Sequence, residues 1–369
     1  MIPALGADVL PAGVRARFLK GVNGLRMHLL EAGDPEHPGV LLLHGFPELA
    51  YSWRKVMPAL AEAGYYVIAP DQRGYGRTSG WDPDYDGDLA SFRVTNLVRD
   101  MVGLLAALGL GSVEAVVGHD FGASVAVWCA LLRPDIFRSV TLMSAPFAGP
   151  PGLGLAPGTG IHAALAALDR PRKHYQWYYS TREANADMTR SRQGLHAFLR
   201  AYYHYKSADW PGNQPFRLAG ATASELARMP TYYIMDLDRD MPQTVAIEMP
   251  SAQSIAACRW LPDHELRVYS RAYEMTGFQG GLQWYRCRTQ RIGNSELEVF
   301  SGRTIDVPSM FIAGAQDWGI YQTHEAIERM QGSVCTQMRG CHLINQAGHW
   351  VQQENPTEVI SLLLTFLRG

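Results

Sequence analysis

The chain has 369 residues, 47% of them hydrophobic and 18% charged, with a formal net charge of −2. That length suits one large domain or two unequal ones, and the near-neutral balance argues against a nucleic-acid surface or a basic membrane-binding face. No apolar run approaches the roughly 20 residues of a membrane span. The start, Met1-Ile2-Pro3-Ala4-Leu5-Gly6-Ala7-Asp8, lacks the basic stretch and long apolar core of a secretory signal. Cys129, Cys258, Cys287, Cys335 and Cys341 are odd in number with no C-x-x-C pair, so reduced thiols and a cytoplasmic location are the expectation.

In chain order, strand patterns are predicted at Arg15–Leu19, Met27–Glu31, Val40–Leu43 and Tyr66–Ala69, then at Val113–Val117 and Ser139–Met143. Helical patterns fall at Ser52–Ala63, Val94–Leu108 and Ala123–Leu132; Cys129 sits among Ala and Val in the last and reads as core. Strands alternating with helices mean a mostly parallel sheet covered on both faces, an α/β class. From residue 146 the character changes. A Pro/Gly-rich opening leads into a helical, aromatic-rich region, densest at His174-Tyr175-Gln176-Trp177-Tyr178-Tyr179 and at Phe198 to Tyr205. Within it, Asp236-Leu237-Asp238-Arg239-Asp240 lacks the Gly and Glu of a calcium loop and reads as solvated. The alternation resumes with a strand at Ser309–Ala313, a helix at Thr323–Met330, a strand near Thr336–Leu343 and a helix at Thr357–Leu367. Residues 1–145 and 304–369 are therefore expected to form one α/β core, and 146–303 a largely helical cap inserted into it.

The densest functional signal is Gly118-His119-Asp120-Phe121-Gly122, between a strand pattern and a helix pattern. This is the strand–sharp turn–helix context of a nucleophile elbow, with glycines at both flanks. Most such elbows carry Ser. A carboxylate attacking a carbonyl would make an anhydride, whereas one attacking an sp3 carbon makes an ester that water can hydrolyse. Asp120 thus points to epoxide opening or halide displacement. An ester intermediate needs a base to activate water and an acid to orient the base. Asp317, just past the strand 309–313, and His349, in a Gly-containing loop before the last helix, follow in the chain order nucleophile, acid, base. Both fall at the carboxyl edge of a parallel sheet. His342, inside a strand pattern, is the lesser candidate for the base. The backbone N–H groups of Phe46, in His44-Gly45-Phe46-Pro47-Glu48, and of Phe121 are the expected oxyanion donors. His44 and Glu48 read as loop-ordering residues, and Asp71 to Gly76 as turn structure.

On these residues the chain resembles the epoxide hydrolase branch of the α/β-hydrolase superfamily over nearly its whole length. His44-Gly45-Phe46-Pro47 matches the family's H-G-x-P motif, and Gly118 to Gly122 its Asp elbow. The resemblance implies an α/β-hydrolase fold with an eight-stranded core and an inserted cap. It makes Tyr175 and Tyr285 counterparts of two acid-donating cap tyrosines. It also implies conversion of an epoxide to a vicinal diol, through an ester on Asp120 hydrolysed by water that His349 and Asp317 activate. Trp177, Trp284 and Trp350 are the expected substrate-contacting residues. A small apolar epoxide and water are the expected partners, with no cofactor, metal, nucleic acid or membrane; self-association stays open. Two features depart from the family pattern. Phe121 stands where Trp is common, and the cap segment 207–255, with Met229, Met235, Met241 and Met249, looks unlike the family. Two alternatives remain. A haloalkane or haloacid dehalogenase would share the Asp-His-Asp triad, but haloalkane dehalogenases usually place an indole directly after the nucleophile. Fluoroacetate dehalogenases place Arg one and four residues after it, where this chain has Phe121 and Ser124. An inactive binding protein on the same fold is the other, although such proteins often lose a triad member.

Overall fold

The computed structural model describes residues 2–154 and 160–369; positions 155–159 of the expected cap lie outside the described residues. Eight strands form one sheet: β1 (Val14–Val22), β2 (Leu25–Ala32), β3 (Gly39–Leu43), β4 (Tyr66–Pro70), β5 (Ala115–His119), β6 (Val140–Met143), β9 (Ser309–Gly314) and β10 (Met338–Ile344). The remaining two, β7 (Arg172–His174) and β8 (Ile234–Asp236), make a separate antiparallel ribbon. The sheet order is β1-β2-β4-β3-β5-β6-β9-β10. Only the β1–β2 and β2–β4 pairs are antiparallel; the other pairings are parallel.

All five residues of β3 are buried, and so are all five of β5, as strands covered on both faces must be. The pleat sorts their side chains. Val40 and Leu42 join Trp53, Met57, Val359 and Leu363 on one face. Leu41 and Leu43 join Leu97, Met101, Leu104 and Val125 on the other, where α2 (Val94–Ala107) and α3 (Phe121–Leu132) pack. The chain leaves β3 toward β4 on one side and returns to β5 on the other, so the sheet order reverses at β3. Ligand sites in open α/β sheets form at the carboxyl ends of strands beside such a reversal.

Two predicted helices differ from those observed. The Ser52–Ala63 pattern splits into a 3-10 turn, Ala50–Trp53, and a short α1, Met57–Glu62. Pro58 lacks the N–H that an uninterrupted helix would need there, but it suits the first turn of a new one. The Thr323–Met330 pattern becomes a single α-turn, Ala326–Arg329, continued by a wider turn, Met330–Val334.

Among the described residues, the region between β6 and β9 adds no strand to the eight-stranded sheet. Its longest helices are Leu195–Lys206, Asp263–Thr276 and Gln279–Thr289. Asp236 receives Arg170 and Arg172, and Asp240 caps the helix Met241–Ala246, so the acidic run is committed to local structure. A buried cation ties the two regions together. Arg54, 2% exposed, donates to Gln353 Oε1 at 2.8 Å and pairs with Glu265 on the helix Asp263–Thr276. Removing one partner of a buried pair strands the other charge. Glu265→Ala should therefore lower stability by about 3 kcal/mol in chemical denaturation, and Glu265→Gln by less, because it keeps an acceptor for Arg54.

Candidate active site

Asp120 sits at φ 53° and ψ −119°, between the end of β5 and the start of α3. A non-glycine residue at positive φ costs about 1–3 kcal/mol and is held there by its surroundings. Here the Asp120 N–H donates to Met143 O at 3.1 Å, and its carbonyl accepts the Ala123 N–H at 3.1 Å. The flanking glycines are needed for close approach. A Cβ on Gly118 would fall 2.1 Å from Gly122 O, and one on Gly122 would fall 2.2 Å from Leu43 O.

The strained turn lifts the carboxylate over the sheet edge. Asp120 Oδ1 accepts the Phe46 N–H at 3.0 Å, and Oδ2 lies 3.5 Å from His349 Nε2. The Phe121 N–H opens α3, where a helix leaves its first donors without intrahelical acceptors. His349 turns its other nitrogen to Asp317, with Nδ1 at 3.2 Å from each carboxylate oxygen. Asp317 is itself fixed by the Gly319 N–H at 2.6 Å. Buried this far, Nδ1 must donate to the carboxylate, which leaves Nε2 as the free, basic nitrogen. It has no hydrogen-bond partner among the described residues. Burial alone would raise the Asp120 carboxyl. The neighbouring His349 imidazole, with smaller contributions from Lys206 and His119, outweighs burial and holds it well below the usual range. Asp317 is lowered by the same balance, through His349 and the Gly319 N–H.

Glu48 organises the loop that carries Phe46. Its Oε2 meets His119 Nδ1 at 2.6 Å, and its Oε1 accepts from Gln352 and Gln353, each at 2.9 Å. His119 Nε2 in turn donates to His349 O at 2.7 Å. One buried carboxylate thus links the Phe46 loop, the Asp120 turn and His349. His44 bonds within its own loop and to Gln72. His342 stays in β10 at the sheet edge, and it is His349 that meets Asp317.

A cavity of about 530 Å3 opens above Asp120. Phe121, Ser124, Val125 and Trp128, one face of α3, line its floor, while Tyr175 and Trp284 line it from the other region. Tyr285 packs beside it, its ring 4.6 Å from Phe121 and 5.8 Å from Tyr175. Burial first, then the nearby Asp120 charge, pushes the Tyr175 phenol up, and burial does the same to Tyr285. Both therefore hold their protons at neutral pH. Two expected substrate contacts need correction. Trp177 is 42% exposed and stacks on His162 at 3.6 Å, outside the cavity lining. Trp350 lies fully buried behind His349 and donates to Tyr203 O at 2.8 Å, again away from the cavity. No group of His, Cys, Asp and Glu among the described residues is arranged to hold a metal ion.

With this geometry in hand, comparison with known proteins is direct. Residues 38–356 match the family described as alpha/beta hydrolase fold. The chain is 36% identical to epoxide hydrolase A of Mycobacterium tuberculosis, covering 97% of this chain and 98% of the relative. The chain belongs to the epoxide hydrolase branch of the α/β-hydrolase fold. Epoxide hydrolase B of the same organism is 35% identical over 94% of this chain and 96% of its own. Among solved structures, an epoxide hydrolase from an endophytic Streptomyces superposes with a TM-score of 0.77 at 30% identity, covering 97% and 96% of the two chains. Potato (Solanum tuberosum) epoxide hydrolase I gives 0.75 at 29% identity, covering 96% and 99%.

The lysine at the end of the helix Leu195–Lys206 was not singled out in the sequence, although it reaches the electrostatic neighbourhood of both Asp120 and Asp317. The one signal for it was a basic residue closing the aromatic run Tyr202-Tyr203-His204-Tyr205.

Proposed function

We propose that the protein hydrolyses a small apolar epoxide to a vicinal diol in two covalent steps, with residues 146–303 acting as the cap that closes over the site. The observation that carries this reading is the division of labour between the two Asp120 oxygens. Oδ1 already accepts the Phe46 N–H, whereas Oδ2 has no backbone donor among the described residues and faces His349. Oδ2 is therefore the oxygen that attacks a ring carbon. The carbon–oxygen bond of the ring breaks, and the departing alkoxide takes a proton from Tyr175 or Tyr285. Water then enters next to His349 Nε2, which removes its proton as the oxygen adds to Asp120 Cγ. The charge this creates on Oδ1 falls to the N–H groups of Phe46 and Phe121. Collapse expels the diol oxygen, which recovers a proton from the His349 imidazolium, and Asp317 steadies that cation throughout; the second water proton, left on Asp120, passes to solvent, from which the phenolate regains its own.

The dehalogenase reading asks for N–H donors around a departing halide. Phe121 supplies no side-chain N–H, and two nearby indoles are committed: Trp284 donates to Arg73 O at 2.9 Å and Trp350 to Tyr203 O. The indole of Trp318 has no partner among the described residues, but it does not line the cavity. Phenols that hold their protons suit an alkoxide leaving group better than a halide.

Intact-protein mass spectrometry of His349→Gln with styrene oxide should show an adduct on Asp120, because the first step survives and the second does not. A bare mass in a variant that still binds the epoxide would count against the scheme. Tyr175→Phe and Tyr285→Phe should each slow ester formation. The double variant should lose about 10²–10⁴-fold, the usual worth of general acid catalysis. Unchanged turnover in the double variant would reduce both phenols to packing.

A further inference from the structure

In the two-step reading His349 is the base of the second step, and its imidazole contacts alone do not explain how its loop is held. The backbone does. Three successive N–H groups run through the loop, those of Gly348, His349 and Trp350, and backbone donors removed from water need acceptors. Lys206 O takes the middle one at 2.9 Å. The other two go to one side chain, that of Glu354. Its Oε2 accepts the Gly348 N–H and its Oε1 the Trp350 N–H, each at 2.9 Å. Oε2 also accepts the Ala208 N–H at 2.8 Å. One carboxylate thus grips the chain on both sides of His349 and ties it to the segment that follows the helix Leu195–Lys206.

An ionised carboxylate suits this task because it accepts on both oxygens and donates from neither. Glu354 ends the short helical turn Val351–Glu354, which brings its side chain back to the loop the chain has just left. Burial raises its carboxyl to about 7, against the pull of the three N–H groups. Gly348 is an independent sign of the same close contact. A Cβ there would fall 2.6 Å from Ala208 N and 2.7 Å from Lys206 O. Only a residue without a side chain lets the loop approach residues 206–208 so closely.

We propose that Glu354 is a positioning residue for ester hydrolysis: through the backbone on either side of His349, it sets where Nε2 stands relative to Asp120 Cγ and the attacking water. This rests on the two-step reading above. Asp317 orients the imidazole ring, but it does not fix where the His349 backbone lies. Glu354 does so without touching the reacting atoms. The first step makes no such demand, since Asp120 Oδ2 attacks carbon without a base.

Rapid quench with enzyme in excess over styrene oxide, at a pH well above that at which Glu354 ionises, separates ester formation from ester decay. Glu354→Gln keeps the size of the side chain but leaves one accepting oxygen in place of two, so one side of the grip is lost. Ester decay should slow about 10- to 100-fold, the usual cost of a displacement of up to about 1 Å, while formation keeps the parent rate. Gly348→Ala should slow decay in the same way. In the His349→Gln background, Glu354→Gln should slow decay no further, because its effect runs through the base. If Glu354→Gln does not fold, Glu354→Asp replaces it, its shorter arm being unable to reach all three N–H groups. Unchanged decay, equal slowing of both steps, or full additivity with His349→Gln would overturn the inference. Absence of any ester in the parent enzyme would overturn the two-step reading, and this inference with it.

Discussion

Every element of the site depends on keeping one carboxylate ionised and aimed from a backbone conformation that an aspartate would not choose. Asp120 is strained at positive φ, and the tight packing of Gly118 against Gly122, and of Gly122 against β3, is what makes that turn accessible. The cost of about 1–3 kcal/mol is small beside what would follow from letting the carboxyl protonate, since a protonated acid is no nucleophile. His349 therefore bears on the resting state of Asp120. Its proximity is the first influence that outweighs burial and keeps Asp120 anionic.

Holding His349 in that position calls on three separate parts of the chain. Asp317, from the end of β9, orients Nδ1. His119, one residue before Asp120, donates to the His349 carbonyl and is itself anchored by Glu48. Lys206, from the region between β6 and β9, takes the His349 N–H. The His349 loop is thus held by the core on two sides and by a helix of the region between β6 and β9 on the third. Arg54 with Glu265 joins the same two regions farther out.

Much of this was legible in the sequence because it is local. An elbow needs a strand, two glycines and a helix within about fifteen residues, and the acid and base sit at strand ends that alternation locates. The eight-stranded, mostly parallel sheet followed from the same alternation. What escaped was set by direction and by tertiary contact. Trp177 was expected at the substrate, but it lies two residues from Tyr175, and residues two apart on a helical turn face different sides. Trp350, directly after His349, turns into the core for a similar reason. Trp284 lines the cavity, while its neighbour Tyr285 packs beside it. No local pattern marks Lys206, whose cage is assembled from residues 202, 232, 233 and 350.

The central claim is that Asp120 attacks carbon and that water attacks Asp120. Isotope placement in one turnover tests it directly. With enzyme in excess over styrene oxide in ¹⁸O-water, the oxygen delivered to the diol should be the carboxylate's own. The first diol should then carry no label, and the peptide containing Asp120 should gain one ¹⁸O. If His349 instead drove water straight onto the epoxide, the diol would be labelled in that first turnover and the peptide would not, which would contradict the account.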